Sequence, residues 1–275
     1  MWQARSYLET YFIGQEELVN SIHYLIDDID AGNNYNFIFR APSGYGKTYL
    51  AARIVHFIHF KTFTRSYISF TGDKWRYYPD KRFQLIDEVH LLKDPERIYP
   101  LMDSGNHTFM LMSNEYSELA EPLVNRCFIF NFGPYRTEDL AKIAGKFLEK
   151  HNIVLSGEML EILVNNSRLM PREVINLCKR LVVIFRQNGK PNSVEELENY
   201  MFQFCGIRRG GFSASDEAYL NFLQENGRAS LITLANVLQI PRQTIQNEIE
   251  PFLLRKNLIQ ITSRGRILND NFSRD

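Results

Sequence analysis

The chain has 275 residues, of which 44% are apolar and 23% are charged, a balance typical of globular proteins that argues against disorder. Lysine and arginine together number 32, as do aspartate and glutamate, so the formal net charge is zero. A protein coated with positive charge for nucleic acid is excluded, and any contact with nucleic acid must come from local patches.

The cysteines and the apolar runs limit the cellular setting. Cys127, Cys178 and Cys205 lie far apart without a CxxC pair, which excludes a disulfide framework or a cysteine zinc site and is typical of a reducing compartment. No apolar run approaches the roughly 20 residues that span a bilayer, and the first residues lack the apolar core of a signal peptide. We expect a cytoplasmic protein without membrane contact.

The chain divides into three blocks. Residues 1–133 alternate short β-rich runs with helical stretches, which indicates βαβ units around a parallel sheet. Residues 134–206 have helical periodicity throughout, and a glycine- and arginine-containing joint at 206–211 precedes the third block, 212–275. The strands are predicted at residues 36–39, 67–70, 83–86, 108–112 and 128–132. The fold class is therefore α/β, a parallel-sheet domain followed by an all-α domain and a small C-terminal domain.

The third block has the pattern of a winged helix. Ser213 and Asp216 form a predicted capping box for a first helix at 216–224, and a second helix covers 231–238. Pro241 occupies the first position of a third helix that runs to about Lys256, and strands at 258–262 and 267–269 flank a basic turn. Such a module binds DNA or another protein.

A phosphate-binding loop follows the first predicted strand. APSGYGKT at 41–48 lies between that strand and a helix, which is the context that a P-loop requires. Lys47 would contact the β- and γ-phosphates, and Thr48 would ligate Mg²⁺. Ala41 replaces the usual first glycine, so we expect its turn to be made with negative φ. The predicted nucleotide contacts of this segment are Pro42, Ser43, Gly44, Tyr45, Gly46, Lys47, Thr48 and Tyr49.

A second part of the site follows the strand at 83–86. A buried apolar strand that ends in Asp87 and Glu88 has the Walker B pattern. Asp87 would hold Mg²⁺, and Glu88 would orient and deprotonate the attacking water. ATP and Mg²⁺ are the cofactors that these two motifs predict.

Further segments occur in a fixed order: FIGQ at 12–15, IDEVHL at 86–91, IYPLMD at 98–103, YRTEDL at 135–140, SRLMPR at 167–172, EPFL at 250–253 and SRGR at 263–266. Together they resemble the AAA+ ATPases, and most closely the RuvB family of Holliday-junction branch-migration motors. The resemblance implies an AAA+ ATPase domain at 1–133, a helical lid at 134–206 and a winged helix at 212–275.

The resemblance also implies individual roles. Ile13 and Gly14 would lie by the adenine, and Tyr135 near the base. Asn114 would be the sensor 1 residue that helps to place the water. Two further segments also resemble clamp-loader ATPases, since SNE at 113–115 and VNRC at 124–127 occur in both families.

Two arginines would counter the charge that develops on the γ-phosphate. Arg126 resembles the arginine finger that completes a neighbouring subunit's site, which implies a homo-oligomeric ring or filament. Arg172, after Pro171, resembles the sensor 2 of the lid and would act within its own subunit. Considered singly, each arginine would be read as part of a surface ion pair.

Two segments are shorter than in the RuvB family. Between Asp103 and Phe109 the chain lacks the long β-hairpin that meets RuvA, which argues against a RuvA-like partner. Residues 71–82 are too short for the family's helix and pore-facing loop. Their cations and rings either grip single-stranded DNA, with Lys74, Trp75 and Arg76 as the contacts, or form a surface crossover whose rings cover the core.

The leading prediction is an oligomeric ATPase that remodels or moves junction or duplex DNA in recombination, repair or replication. An alternative is a loader or adaptor that uses ATP as a switch to assemble a replication or recombination partner on DNA without translocating. Another is an ATP-gated module that binds only protein. The predicted DNA contacts of the winged helix are Arg242, Gln243, Thr244, Arg264, Gly265 and Arg266.

Overall fold

The computed structural model describes residues 4–59 and 67–269. The chain forms two compact units: Met1–Lys146 with Met170–Ile175, and Phe147–Leu169 with Asn176–Asp275. The boundaries fall within two helices, so the predicted division into three domains stays a prediction. Within the described ranges, no helix combines the length and the apolar character that crossing a bilayer would need.

The first unit is built on a five-stranded sheet with the order β2-β3-β4-β1-β5, in which every neighbouring pair is parallel. This confirms the predicted parallel sheet. The strands are β1 Phe37–Arg40, β2 Tyr67–Thr71, β3 Phe83–Asp87, β4 Thr108–Ser113 and β5 Phe128–Asn131.

Alternating side chains of the strands enter two separate cores. Phe37 and Phe39 belong to one apolar cluster, and Ile38 belongs to the other. The central strands are therefore buried on both faces, which is why they are almost continuously apolar in the sequence. The helices of this unit are α1 Ala4–Tyr11, α2 Glu16–Asp30, α3 Lys47–His59, α4 Tyr99–Asp103 and α5 Glu121–Val124.

The strand boundaries differ from the predicted ones by single residues. Asn36 is predicted as the first residue of β1, but the strand begins at Phe37. The Asn36 side chain donates to the Arg126 carbonyl at 3.3 Å and accepts from the Phe109 N–H at 3.4 Å. β3 and β4 each extend one residue further, to Asp87 and Ser113. Parallel strand ends at one edge of the sheet therefore carry the polar residues of the predicted site.

Helices make up most of the second block, and they are α6 Thr137–Glu149, α7 Gly157–Asn165, α8 Pro171–Asn188 and α9 Val194–Cys205. The helical periodicity predicted for this block is visible on α8, where Val174, Leu177, Cys178 and Leu181 are all buried. On α6, Leu148 is buried and Phe147 is half-buried.

The C-terminal segment has the predicted winged-helix elements. They are α10 Ala214–Asn226, β6 Arg228–Ala229, α11 Leu231–Leu238, α12 Arg242–Thr244, a π-helical turn Ile245–Ile249, α13 Glu250–Arg255, β7 Ile259–Thr262 and β8 Gly265–Leu268. The predicted capping box of Ser213 and Asp216 is present. Pro241 is the residue before the third helix rather than its first residue, because its ψ of 139° is extended.

Candidate functional site

The P-loop connects β1 to α3 and needs glycine at two positions. Gly44 and Gly46 have φ values of 87° and 93°, which L side chains rarely adopt. A Cβ on Gly44 would also lie 3.0 Å from the Cβ of Arg172. Ala41 has no left-handed φ, as we expected for the alanine that replaces the usual glycine.

Lys47 is the first residue of α3 and is only 5% exposed. Its Nζ donates to the carbonyl oxygens of Ala41 at 2.7 Å and Pro42 at 3.2 Å. Burial lowers the pKa of Lys47, while the carboxylates of Glu88 and Asp87 act in the opposite direction. A desolvated cation held only by two loop carbonyls is well placed to exchange them for phosphate oxygens.

Thr48 and Asp87 join the two halves of the site. The Thr48 hydroxyl donates to Asp87 Oδ2 at 2.6 Å, and Asp87 Oδ1 accepts from the Glu88 backbone at 3.0 Å. A hydroxyl and a carboxylate at this distance fit Mg²⁺, which prefers a few hard oxygen ligands beside substrate phosphates. Among the residues described, no group of three or more His, Cys, Asp or Glu side chains is arranged to bind a metal ion.

Glu88 follows Asp87 with a left-handed φ of 48°. Its Oε2 is buried and has no hydrogen-bond partner among the residues that the structure describes, and His90 Nδ1 lies 3.5 Å away. Asn114, the predicted sensor 1 residue, is exposed directly after β4, the strand that pairs with β3. Both side chains therefore follow neighbouring strand ends at the same edge of the sheet.

The predicted sensor 2 residue reaches the P-loop. Arg172 Nη1 donates to the Ser43 hydroxyl at 2.8 Å, and its backbone N–H donates to the Gly44 carbonyl at 3.3 Å. Pro171 is buried at the start of α8. The Arg172 side chain is exposed, so a charged phosphate can replace the neutral Ser43 hydroxyl as its partner.

The opening motif and the lid's first residues lie together beside the P-loop. The Tyr135 hydroxyl donates to the Tyr45 carbonyl at 3.0 Å, and its ring lies 3.2 Å from where a Cβ on Gly14 would stand. Gln15 exchanges two hydrogen bonds with the Gly133 backbone, at 2.7 and 2.8 Å.

Ile13 is half-buried within the opening motif. The exposed Tyr49 donates to the Tyr11 carbonyl at 3.0 Å. Neither residue has a contact that identifies a nucleotide subsite, so their assignments stay predictions.

Arg126 has partners within its own chain. Its Nε and Nη2 donate to the Asp103 carboxylate at 2.9 and 3.1 Å, and its Nη1 donates to the Pro122 carbonyl at 2.7 Å. Its guanidinium also lies 4.7 Å from the centre of the Tyr99 ring. The ion pair that a single residue would suggest is thus present, and a role as an arginine finger stays a prediction.

The predicted DNA contacts of the winged helix have different environments. Arg242, Gln243 and Arg264 are exposed, and Thr244 is half-buried. Arg266 has a side chain only 15% exposed, and its Nε and Nη2 donate to the two oxygens of Glu250 at 2.7 and 3.3 Å.

Gly265 is held by the fold of the wing. Its φ is 130°, and a Cβ there would lie 2.6 Å from the Ala229 carbonyl oxygen. The strand β8 approaches β6 too closely for a side chain at this position. In this structure Arg266 and Gly265 shape the wing, and Arg264 is the arginine of the turn that faces solvent.

The short segment at 71–82 packs on its own unit. Trp75 lies against the apolar cluster that contains Phe109, with ring centres 6.4 Å apart, and the Tyr78 ring stacks on Phe70. Lys74 and Arg76 are exposed. This arrangement favours a crossover whose rings cover the core, and contact with single-stranded DNA by these residues stays a prediction.

Sequence reasoning missed several partners of the predicted residues. His90 lies two residues after Glu88 and Ser113 directly precedes Asn114, yet nothing in their spacing reveals that their side chains meet at 3.3 Å. Asp103 pairs with Arg126 across 23 residues of sequence. These pairs depend on tertiary structure, for which the sequence contains no local signal.

Arg168 was also missed, although it lies within the segment quoted for sensor 2. It donates to Asp216 Oδ2 at 2.5 Å and to the Glu248 carbonyl at 2.7 Å, and it lies 4.7 Å from the centre of the Phe252 ring. The residue therefore ties its loop to two helices of the winged helix.

Three comparisons bear on the family. Residues 209–271 match the model of the RuvB C-terminal winged helix domain. Two relatives, both named Holliday junction branch migration complex subunit RuvB, are 28% identical (Mesomycoplasma hyopneumoniae; 93% of this chain, 91% of the relative) and 26% identical (Rickettsia africae; 96% and 86%). The solved Thermotoga maritima RuvB branch migration motor superposes with a TM-score of 0.77 at 21% identity, covering 94% of this chain and 93% of the other.

The likeness thus extends from the P-loop unit to the wing and includes both sequence and fold. Taken with the P-loop, the Walker B carboxylates and the winged helix, these findings make the chain similar to the RuvB-type AAA+ ATPases in sequence and in fold, and residues 209–271 match their winged helix domain.

Proposed function

We propose that this chain hydrolyses ATP and uses the free energy to move or remodel DNA at Holliday junctions. The observation that carries the proposal is the 2.6 Å contact between Thr48 and Asp87, beside the buried Lys47, in a chain similar over nine-tenths of its length to proteins named for branch migration. The P-loop and Walker B segments meet in the arrangement that phosphoryl transfer requires.

The residues of the nucleotide site divide the work. Lys47 and the backbone of the P-loop bind the phosphates, and the N-terminus of α3 adds a favourable dipole. Glu88 takes the proton of the attacking water, which Asn114 helps to place. Arg172 stabilises the charge on the transferred phosphoryl group. Thr48 and Asp87 would hold Mg²⁺, which would neutralise charge on the phosphates.

Arg126 supplies the second arginine from a neighbouring subunit. Its exposed ion pair with Asp103 is weak in water, so exchange of Asp103 for the γ-phosphate of an adjoining subunit costs little. The active form is therefore a homo-oligomer, and the unpaired cysteines favour a cytoplasmic location.

The winged helix binds the DNA backbone through Arg264, with Arg242, Gln243 and Thr244 as further contacts. Exposed cations of this kind contact phosphates and make binding strongly salt-dependent.

A loader remains the second candidate, because the segment at 71–82 packs on the core instead of forming a long pore loop. In that case ATP would control assembly with a replication or recombination protein. DNA would be bound, yet no strand would be moved. The third alternative, a module that binds only protein, requires no DNA affinity.

The test is ATP turnover with no DNA, single-stranded DNA, duplex DNA and a four-way junction, using the full chain and the variant Glu88→Gln as the inactive control. We expect stimulation by the junction or duplex and no turnover by the variant. If no DNA stimulates ATP turnover and none of them binds, the DNA proposal would be contradicted and the protein-binding module would be favoured.

A further inference from the structure

The Walker B glutamate has an unusual environment. Glu88 Oε2 is buried and accepts no hydrogen bond, although a carboxylate oxygen removed from water is costly to leave unpaired. The nearest cationic or donor group that the structure records is His90 Nδ1, at 3.5 Å. That distance is slightly longer than a hydrogen bond, so a small rotation of either side chain would form one.

His90 is held in place by the fold. Its backbone lies in a 3₁₀ turn, Val89–Leu91, whose first residue follows the left-handed Glu88, and the Leu91 N–H donates to the Glu88 carbonyl at 2.9 Å. The side chain of His90 is only 10% exposed. The turn therefore fixes the imidazole and the carboxylate on the same short segment.

A third residue contacts the same imidazole nitrogen. Ser113 Oγ lies 3.3 Å from His90 Nδ1 and accepts a hydrogen bond from the Glu115 backbone at 3.1 Å. With the hydrogen on Nδ1, the imidazole donates toward two oxygens, Ser113 Oγ and Glu88 Oε2. With the hydrogen on Nε2, a lone pair would face the carboxylate. The first tautomer is therefore favoured.

We propose that His90 is a positioning residue for the catalytic Glu88. Its Nδ1–H holds Oε2, and Oε1 is then left as the oxygen that accepts the proton from water. Ser113 fixes the imidazole from β4 and immediately precedes Asn114, so the same contacts connect the sensor 1 strand to the catalytic carboxylate. This inference rests on the proposed hydrolysis at Glu88.

The test compares two substitutions that differ in where they place a donor. In His90→Asn the amide nitrogen stands at the same number of bonds from the backbone as Nδ1, whereas in His90→Gln it stands one bond further away, near the position of Nε2. We expect His90→Asn to retain most of the kcat. His90→Gln should lose about tenfold or more, since positioned proton transfer contributes about 10²–10⁴-fold.

Nucleotide binding separates positioning from a structural role. Both variants should keep the ATP affinity and the thermal midpoint of the natural chain, because neither Lys47 nor the P-loop is altered. Ser113→Ala should lower kcat by less than His90→Gln.

Three results would overturn this inference, and each would have a different meaning. Equal kcat for His90→Gln and the natural chain, with Glu88→Gln inactive, would overturn the inference and leave the proposed function intact. Equal losses in His90→Asn and His90→Gln would also overturn it, because position of the donor would then not matter. Full activity of Glu88→Gln would overturn both the inference and the assigned role of Glu88.

Discussion

Two carboxylates with buried oxygens, Glu250 and Glu88, have different hydrogen-bond partners. Glu250 in the winged helix is 3% exposed, and it accepts hydrogen bonds from Arg266 and from the Tyr219 hydroxyl, the latter at 3.1 Å. Glu88 in the ATPase unit has a buried oxygen with no partner. A fully paired carboxylate stabilises one arrangement, whereas an unpaired one is available for chemistry.

The cations near them differ in the same way. Arg266 donates to both oxygens of Glu250, and this pairing raises the pKa of Arg266. Lys47 has only two carbonyl partners, and burial lowers its pKa. Glu88 and Lys47 of the nucleotide site are thus incompletely paired, whereas both oxygens of Glu250 in the winged helix accept hydrogen bonds.

The largest effect should come from a substitution in the nucleotide site. Lys47→Ala removes the cation that binds the β- and γ-phosphates, so ATP binding should be abolished. The shift of the thermal midpoint on adding ATP measures this directly, because a ligand stabilises only the form that it binds. Lys150→Ala, an exposed lid residue, is the control and should keep the shift. An unchanged ATP affinity in Lys47→Ala would refute the P-loop assignment.

Arg126→Ala should leave ATP binding intact and lower turnover by about 10³-fold or more, the range seen when an arginine finger is removed. Mixing this variant with Lys47→Ala should restore some turnover, because the second variant keeps the finger and the first keeps an intact P-loop. Steady-state ATP hydrolysis at several mixing ratios is the measurement. No recovery at any ratio would contradict a finger that acts between subunits.

Substitution in the Arg266–Glu250 pair of the winged helix should lower stability rather than activity. Arg266→Ala leaves Glu250 buried without its cation, which costs about 3–5 kcal/mol in comparable buried pairs. Hydrogen exchange of the amides in α10 and β8 should accelerate accordingly. Arg264→Ala, in the turn that precedes β8, is the matched control and should leave the exchange unchanged. Equal protection in both variants would show that the Glu250 pair does not stabilise the wing.

The smallest effect should come from the exposed arginine. Arg264→Ala should weaken DNA binding at all sequences and reduce the slope of log affinity against log salt by about one, as expected for the loss of one phosphate contact. Fluorescence anisotropy with duplex DNA at several salt concentrations measures both quantities. Lys190→Ala, an exposed lid residue, is the control. An unchanged slope in Arg264→Ala would exclude a phosphate contact at this position.

The sequence was sufficient where a short segment determines both structure and chemistry. The P-loop, Asp87 and Glu88 could be predicted because glycine, lysine and carboxylates occur at fixed distances from strand ends. The capping box of Ser213 and Asp216 was predictable for the same reason. Strand boundaries were within one residue for most strands of the large sheet.

Other features could not be predicted, because they depend on residues that are distant in the sequence. Arg266 is predicted from the sequence to contact DNA, and only the tertiary structure shows that it donates to Glu250, 16 residues earlier. Likewise, Asp103 and Arg126 meet through the packing of two short helical segments. The left-handed φ of Glu88 could not be predicted either, because the sequence has no glycine at this position to indicate it.

In the proposed function, ATP hydrolysis at Glu88 drives the movement of DNA. Its most direct test follows strand separation of a fluorescently labelled four-way junction by the full chain with ATP and Mg²⁺, in parallel with Glu88→Gln. We expect branch movement by the natural chain and none by the variant, although both bind ATP and the junction. Binding and hydrolysis without any movement of the junction would contradict it and leave the chain as a loader.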